Sequence, residues 1–77
     1  MLAKLIKSHR EKMSLTQEGL ALAAKTTQAT ISRIEAGEQV PSTTTLFKIA
    51  EALRLEPSYL LDAAIKDSKN RGDFDEW

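Results

Sequence analysis

A chain of 77 residues has material for one small hydrophobic core and no second one, which excludes a two-domain enzyme. Apolar residues make up 42% and charged residues 29%, the balance of a soluble globular protein, and no apolar run is long enough for a membrane span. There is no Cys and a single His, His9, which excludes a disulfide scaffold, a thiolate nucleophile and the usual protein-built zinc sites. The formal net charge is zero, yet residues 1–37 carry six bases against three acids and residues 38–77 carry five against eight. A chain divided in this way can turn a basic half toward a polyanion; solvated mixed faces are the plainer alternative. The opening MLAKLIKSHR is too short and too interrupted by Lys4, Lys7 and Arg10 for a signal peptide, so a cytoplasmic protein is expected.

Helical patterns follow one another along the chain, without the alternation that marks strands. Leu2, Leu5, Ile6, His9 and Met13 fall on one face of a first helix over residues 2–12. Thr16 is placed to cap a second helix reaching about Ala24, with Glu18 favouring its positive end and Leu15 positioned to staple onto Leu20. The inward face of that helix is Leu20, Ala21 and Ala24, small enough for another helix to come close. Thr27 opens a third helix over residues 28–36, with Ile31 and Ile34 inward and Gly37 ready to end it in a left-handed conformation. Ser42 caps a fourth, whose buried stripe is Leu46, Ile49, Ala50 and Leu53. Glu56 and Pro57 begin a fifth, because proline suits the first helical position, and Tyr59, Leu60, Leu61, Ala64 and Ile65 continue its apolar pattern. From Lys66 the run KDSKNRGDFDEW is polar apart from Phe74 and Trp77, which divides the chain into a domain over residues 1–65 and a polar, acidic, frayed tail over residues 66–77.

Only Lys25, Thr26 and Thr27 separate the second and third helices, the spacing of a helix-turn-helix, in which the first member crosses the DNA backbone and the second enters the major groove. The segments LTQ, TISRIEAG, PS and TLFKIAEAL, at these spacings, resemble the Cro and phage-repressor (XRE) type of helix-turn-helix domain over about residues 2–61. That resemblance implies an all-α, five-helix, lambda-repressor-like domain that binds double-stranded DNA and regulates transcription. It implies that Gln28, Ala29 and Arg33 read base edges, and that Gln17 meets a phosphate and buttresses the recognition helix. Thr27 and Thr30 match positions at the backbone or at the edge of a base, and Thr16, Lys25 and Ser32 complete the set expected at the DNA backbone. Arg10 and Glu35 match a partly buried ion pair tying the first helix to the third.

The residues argue the same way on their own. With Ile31 and Ile34 inward, helical geometry leaves Gln28, Ala29, Ser32, Arg33 and Ala36 outward. Gln and Arg have bidentate geometry for adenine and guanine edges, and Ala29 fits a thymine methyl. Three positions depart from the family pattern. Lys25 stands where glycine is favoured in the turn, the loop EQVPS lacks basic residues, and Arg54 replaces a small residue between the fourth and fifth helices.

No paired carboxylates, phosphate-cradling loop or nucleophile constellation is present, so no enzyme, cofactor or metal site is expected. The Arg71-Gly72-Asp73 tripeptide reads as chance, and Asp73, Asp75 and Glu76 around two aromatics read as a disordered terminus or a docking peptide. The expected function is a sequence-specific regulator, a repressor, acting as a homodimer on a pseudo-palindromic operator. Leu60, Leu61, Ala64 and Ile65, with Phe74 and Trp77, form the expected dimer patch unless they close the monomer core instead. The alternative is an antitoxin-like or adaptor module that uses the same fold to bind a protein partner.

Overall fold

The computed structural model describes residues 1–70. Among them are five helices and no strand: α1 (Leu2–Lys12), α2 (Gln17–Ala23), α3 (Gln28–Glu35), α4 (Thr43–Ala52) and α5 (Pro57–Asn70). All but α5 are shorter than the roughly 12–15 residues at which an isolated helix becomes even marginally stable in water, so packing must hold them. Every helix supplies that packing. Ile6 of α1, Leu20 of α2, Ile31 and Ile34 of α3, Leu46 and Ile49 of α4 and Leu60 of α5 are fully buried in one cluster, each contributing about 1.5–3 kcal/mol by leaving water. Ala21 and Ala24 are buried where α2 meets α3, and their small side chains permit that close approach.

Helix starts follow the hydroxyl residues. Thr16, Thr27 and Ser42 each accept a hydrogen bond from the backbone N–H three residues on, at 2.9, 3.1 and 3.2 Å, satisfying amides that the first turn leaves free.

Helix ends share one device. After α1, α2, α3 and α4, the residue beyond the cap turns left-handed, with φ of 58° at Ser14, 56° at Lys25, 78° at Gly37 and 59° at Arg54. In each case the next amide reaches back to the carbonyl five residues earlier: Leu15 to Arg10 at 3.1 Å, Thr26 to Ala21 at 2.9 Å, Glu38 to Arg33 at 2.9 Å and Leu55 to Ala50 at 2.8 Å. This is the Schellman closure, and only one of the four is made by glycine.

Three expectations meet a more specific arrangement here. Lys66 does not open a tail, because α5 continues through Asn70. The reason lies at the other end of the chain: α1 has no side-chain cap of its own, and Asp67 takes that role. Its carboxylate accepts from the Leu2 N–H at 2.9 Å and from the Met1 ammonium at 3.0 Å, joining the start of α1 to the last turns of α5. The expected dimer patch also divides. Leu60 is fully buried and Ala64 packs half-buried against the core, so both close the protomer, whereas Leu61 and Ile65 stay exposed. Phe74 and Trp77 lie outside the described residues, as does the Arg71-Gly72-Asp73 tripeptide. Met13, expected on the inward face of α1, is exposed in the turn that follows it.

Candidate nucleic-acid interface

The turn between α2 and α3 is set from both sides. Ala24 ends α2, Lys25 takes the left-handed position, and Thr26 closes back onto Ala21 before the Thr27 hydroxyl caps α3. A lysine there costs about 1–2 kcal/mol relative to an unstrained residue, and its side chain is exposed.

Behind α3 lies a buried polar knot. The Arg10 guanidinium donates from Nε to Glu35 Oε2 at 2.7 Å and from Nη2 to Oε1 at 3.1 Å, a two-bond fork on one carboxylate. Its remaining Nη1 donates to the Leu15 carbonyl at 2.7 Å, and Gln17 Nε2 donates to Glu35 Oε1 at 3.1 Å. The Arg10 and Glu35 side chains retain only 11% and 3% of their exposure. The hydrogen bond to Glu35 holds the arginine pKa above its ordinary value, against the opposing effect of burial, with the charge of Glu35 adding to the rise. No buried side-chain nitrogen or oxygen among the described residues lacks a partner. The knot therefore ties α1, the turn after it, α2 and α3 into one unit. The Leu15 carbonyl was not legible beforehand; it is free for Arg10 because Ser14 turns the chain left-handed just before it.

The outward side of α3 is the reverse. Gln28, Ala29, Ser32 and Arg33 are exposed, and their side chains make no hydrogen bond or ion pair with other described residues. Lys25 and Thr16 are exposed beside them in the same helix-turn-helix segment, Thr16 with its hydroxyl on the Gly19 amide. Thr27 and Thr30 are occupied with each other: the Thr27 hydroxyl accepts the Thr30 amide and donates to the Thr30 hydroxyl at 2.9 Å. Gln17 is half-buried, with its amide on Glu35. Among the described residues no group of three or more His, Asp or Glu is placed to hold a metal ion, and no helix is long and apolar enough to cross a membrane.

Two short helices joined by a tight turn, the second held from behind by a buried fork and with an exposed row that has no side-chain partner among the described residues, define the helix-turn-helix class. Residues 6–60 match the helix-turn-helix family, which covers more than half of the chain. The chain belongs to that family, in its Cro and phage-repressor (XRE) branch, and is a DNA-binding transcriptional regulator by family and fold. It is similar to an uncharacterized HTH-type transcriptional regulator of Methanothermobacter thermautotrophicus, 39% identical over 61 residues that span 75% of this chain and 88% of the relative. Its fold is similar to the P22 c2 repressor in a crystal structure with synthetic operator 9T in the presence of Tl+. That match has a TM-score of 0.75 and 27% identity, and covers 78% of this chain and 91% of the other. The solution structure of the P22 c2 repressor DNA-binding domain matches with a TM-score of 0.75 and 28% identity, covering 79% of this chain and 80% of the other.

Proposed function

We propose that this chain is a sequence-specific repressor that binds a pseudo-palindromic operator as a homodimer, with α3 of each copy in a major groove. The observation that carries the reading is the outward row of α3, Gln28, Ala29, Ser32 and Arg33, exposed and without a side-chain partner among the described residues, while the side behind it is tied down. In this reading Gln28 takes an adenine edge, Arg33 a guanine edge, and Ala29 packs on a thymine methyl. Thr16, Gln17, Lys25, Thr27, Thr30 and Ser32 lie along the sugar-phosphate backbone, where contacts set register without reading sequence. The charge supports it. With Arg10 and Glu35 neutralising each other inside, residues 1–37 present Lys4, Lys7, Lys12, Lys25 and Arg33 to solvent against Glu11 and Glu18 alone, a surplus that attracts a polyanion at low salt. One eight-residue helix reads few base pairs, so two copies on half-sites one helical turn apart, about 34 Å, are needed for a usable site.

The test is selection of bound duplexes from a random pool, followed by competition titration at one fixed salt concentration. A selected sequence with two related half-sites supports the reading. No binding to any duplex at low salt overturns it and leaves the protein-binding adaptor.

A further inference from the structure

The end of α5 stands beside the start of α1. The Asp67 carboxylate accepts from the Leu2 N–H and the Met1 ammonium, so the chain leaves α5, three residues later, close to the first turns of α1. A shallow groove opens at the same place: α1 gives it Ala3, α5 gives it Ala64 and Asp67, and the loop after α3 gives it Val40. Val40, 57% exposed, and the half-buried Ala3 and Ala64 are its open apolar part. Lys7 follows Ala3 by one turn on the same side of α1, and Lys4 precedes Lys7 by three residues, so the two lysines are neighbours at the edge of the groove. Both are exposed, neither makes an ion pair with another described residue, and the first turn of α1 holds no acid.

We propose that residues 71–77 of this chain, RGDFDEW, dock back onto this groove, with Phe74 and Trp77 against Val40 and with Asp73, Asp75 and Glu76 toward Lys4 and Lys7. Length allows it. Seven residues span about 24 Å when extended, and the eleven residues of α1 are about 16 Å long, so a segment leaving Asn70 passes both lysines. Charge favours it, since the segment has three acids against one base and the lysines it reaches have no other partner. The one acid in the groove, Asp67, is already met by the Met1 ammonium at 3.0 Å. Exposed ion pairs contribute little each, but attachment to α5 gives the segment an effective concentration on the order of millimolar, at which a weak contact is populated. The rival face is less suited. On the outer side of α5, Leu61 and Ile65 are exposed, but the Asp62 and Lys66 beside them pair with each other at 3.2 Å and offer no surplus cation to an acidic segment. This contact involves no DNA, and it stands apart from the function proposed above.

Trp77 is the only tryptophan in the sequence, so its fluorescence reports the docking directly. The whole chain is compared with a free peptide of residues 71–77 by emission maximum and by acrylamide quenching, with circular dichroism to show that each variant is folded. Emission from the folded chain is expected to lie to the blue of the peptide's and to be quenched less. Val40→Asp, and separately Lys4→Glu/Lys7→Glu, are each expected to move both readouts to the peptide's values, because an acid at either place opposes the carboxylates of the segment. Ile65→Asp is expected to leave both unchanged, and so is dilution of the wild type. Peptide-like emission from the wild type overturns the proposal, as does protection of Trp77 that survives Val40→Asp or the lysine reversal. Exposure by Ile65→Asp overturns it by placing the segment on the outer face of α5, and a signal lost on dilution overturns it by making the occupant of the groove a second copy of the chain.

Discussion

The two sides of α3 show what each part of a small DNA-binding domain is built to do. On the inward side, Ile31 and Ile34 have no access to water, and Glu35 gives both oxygens to Arg10 and one of them also to Gln17. On the outward side, the side chains of Gln28, Ser32 and Arg33 make no hydrogen bond or ion pair with other described residues. Hydrogen-bond capacity used behind the helix fixes where the helix lies; capacity left unused in front is what a base edge can take. A reader of base edges needs both, because a bidentate pair works only if the side chain arrives at a defined place.

The largest break in that comparison is Glu35→Ala. It leaves the Arg10 charge buried and the Gln17 amide without its acceptor, so unfolding free energy should fall by about 3–5 kcal/mol, enough to unfold a domain of this size. An unchanged urea midpoint would show that the knot does not hold α3. The pH dependence follows from the raised Arg10 pKa. A cation favoured by folding stabilises at every pH below its unfolded pKa, and that contribution is lost only as pH rises through the still higher folded value. Between pH 7 and pH 10 the arginine should therefore contribute no loss of stability, and denaturation midpoints across that interval check it.

Arg33→Ala attacks only the outward side. It should leave stability unchanged and cost about 1–3 kcal/mol on the selected sequence, relaxing preference at one base pair per half-site. An equal loss on every duplex at fixed salt would move Arg33 to the backbone and leave Gln28 and Ala29 to carry specificity. Gln17→Ala supplies the contrast: with Gln17 proposed on a phosphate it should weaken all sites alike, and because its amide also donates to Glu35 the loss is read at matched folded fraction.

The smallest effect sharpens the comparison most, because its two readouts should move in opposite directions. Lys25→Gly relieves a left-handed lysine and should raise stability by about 0.5–1 kcal/mol. It also removes the cation proposed to face the DNA backbone, so binding should weaken on all duplexes and the slope of log affinity against log salt should shrink by about one. A variant that is more stable and binds DNA as well as wild type would show that Lys25 meets no phosphate.

Much of this architecture was legible residue by residue. Thr16, Thr27 and Ser42 announced three helix starts because a hydroxyl at that position has one obvious local use, and the caps form as expected. Ile31 and Ile34 set the phase of α3, which by itself put Gln28, Ala29 and Arg33 outside. The pairing of Arg10 with Glu35 came from the resemblance to the phage repressors, and the structure supplies its geometry. Ser14 was missed as a helix stop, since nothing in a serine marks it for a left-handed turn, and the Leu15 carbonyl was missed with it.

What the sequence determined by itself is whatever rests on neighbours within a turn or two: five helices, their caps, the inward stripes and the outward row of α3. Only the tertiary structure decided that α5 runs to Asn70, that Asp67 meets the start of α1 from 65 residues away, and that Leu60 belongs to the core while Phe47 is left in the open. The physical reason is the range of the forces. Propensity and capping act through local geometry written in the chain, whereas a polar residue such as Asp67 reads as tail until packing brings it an amide that has no other acceptor.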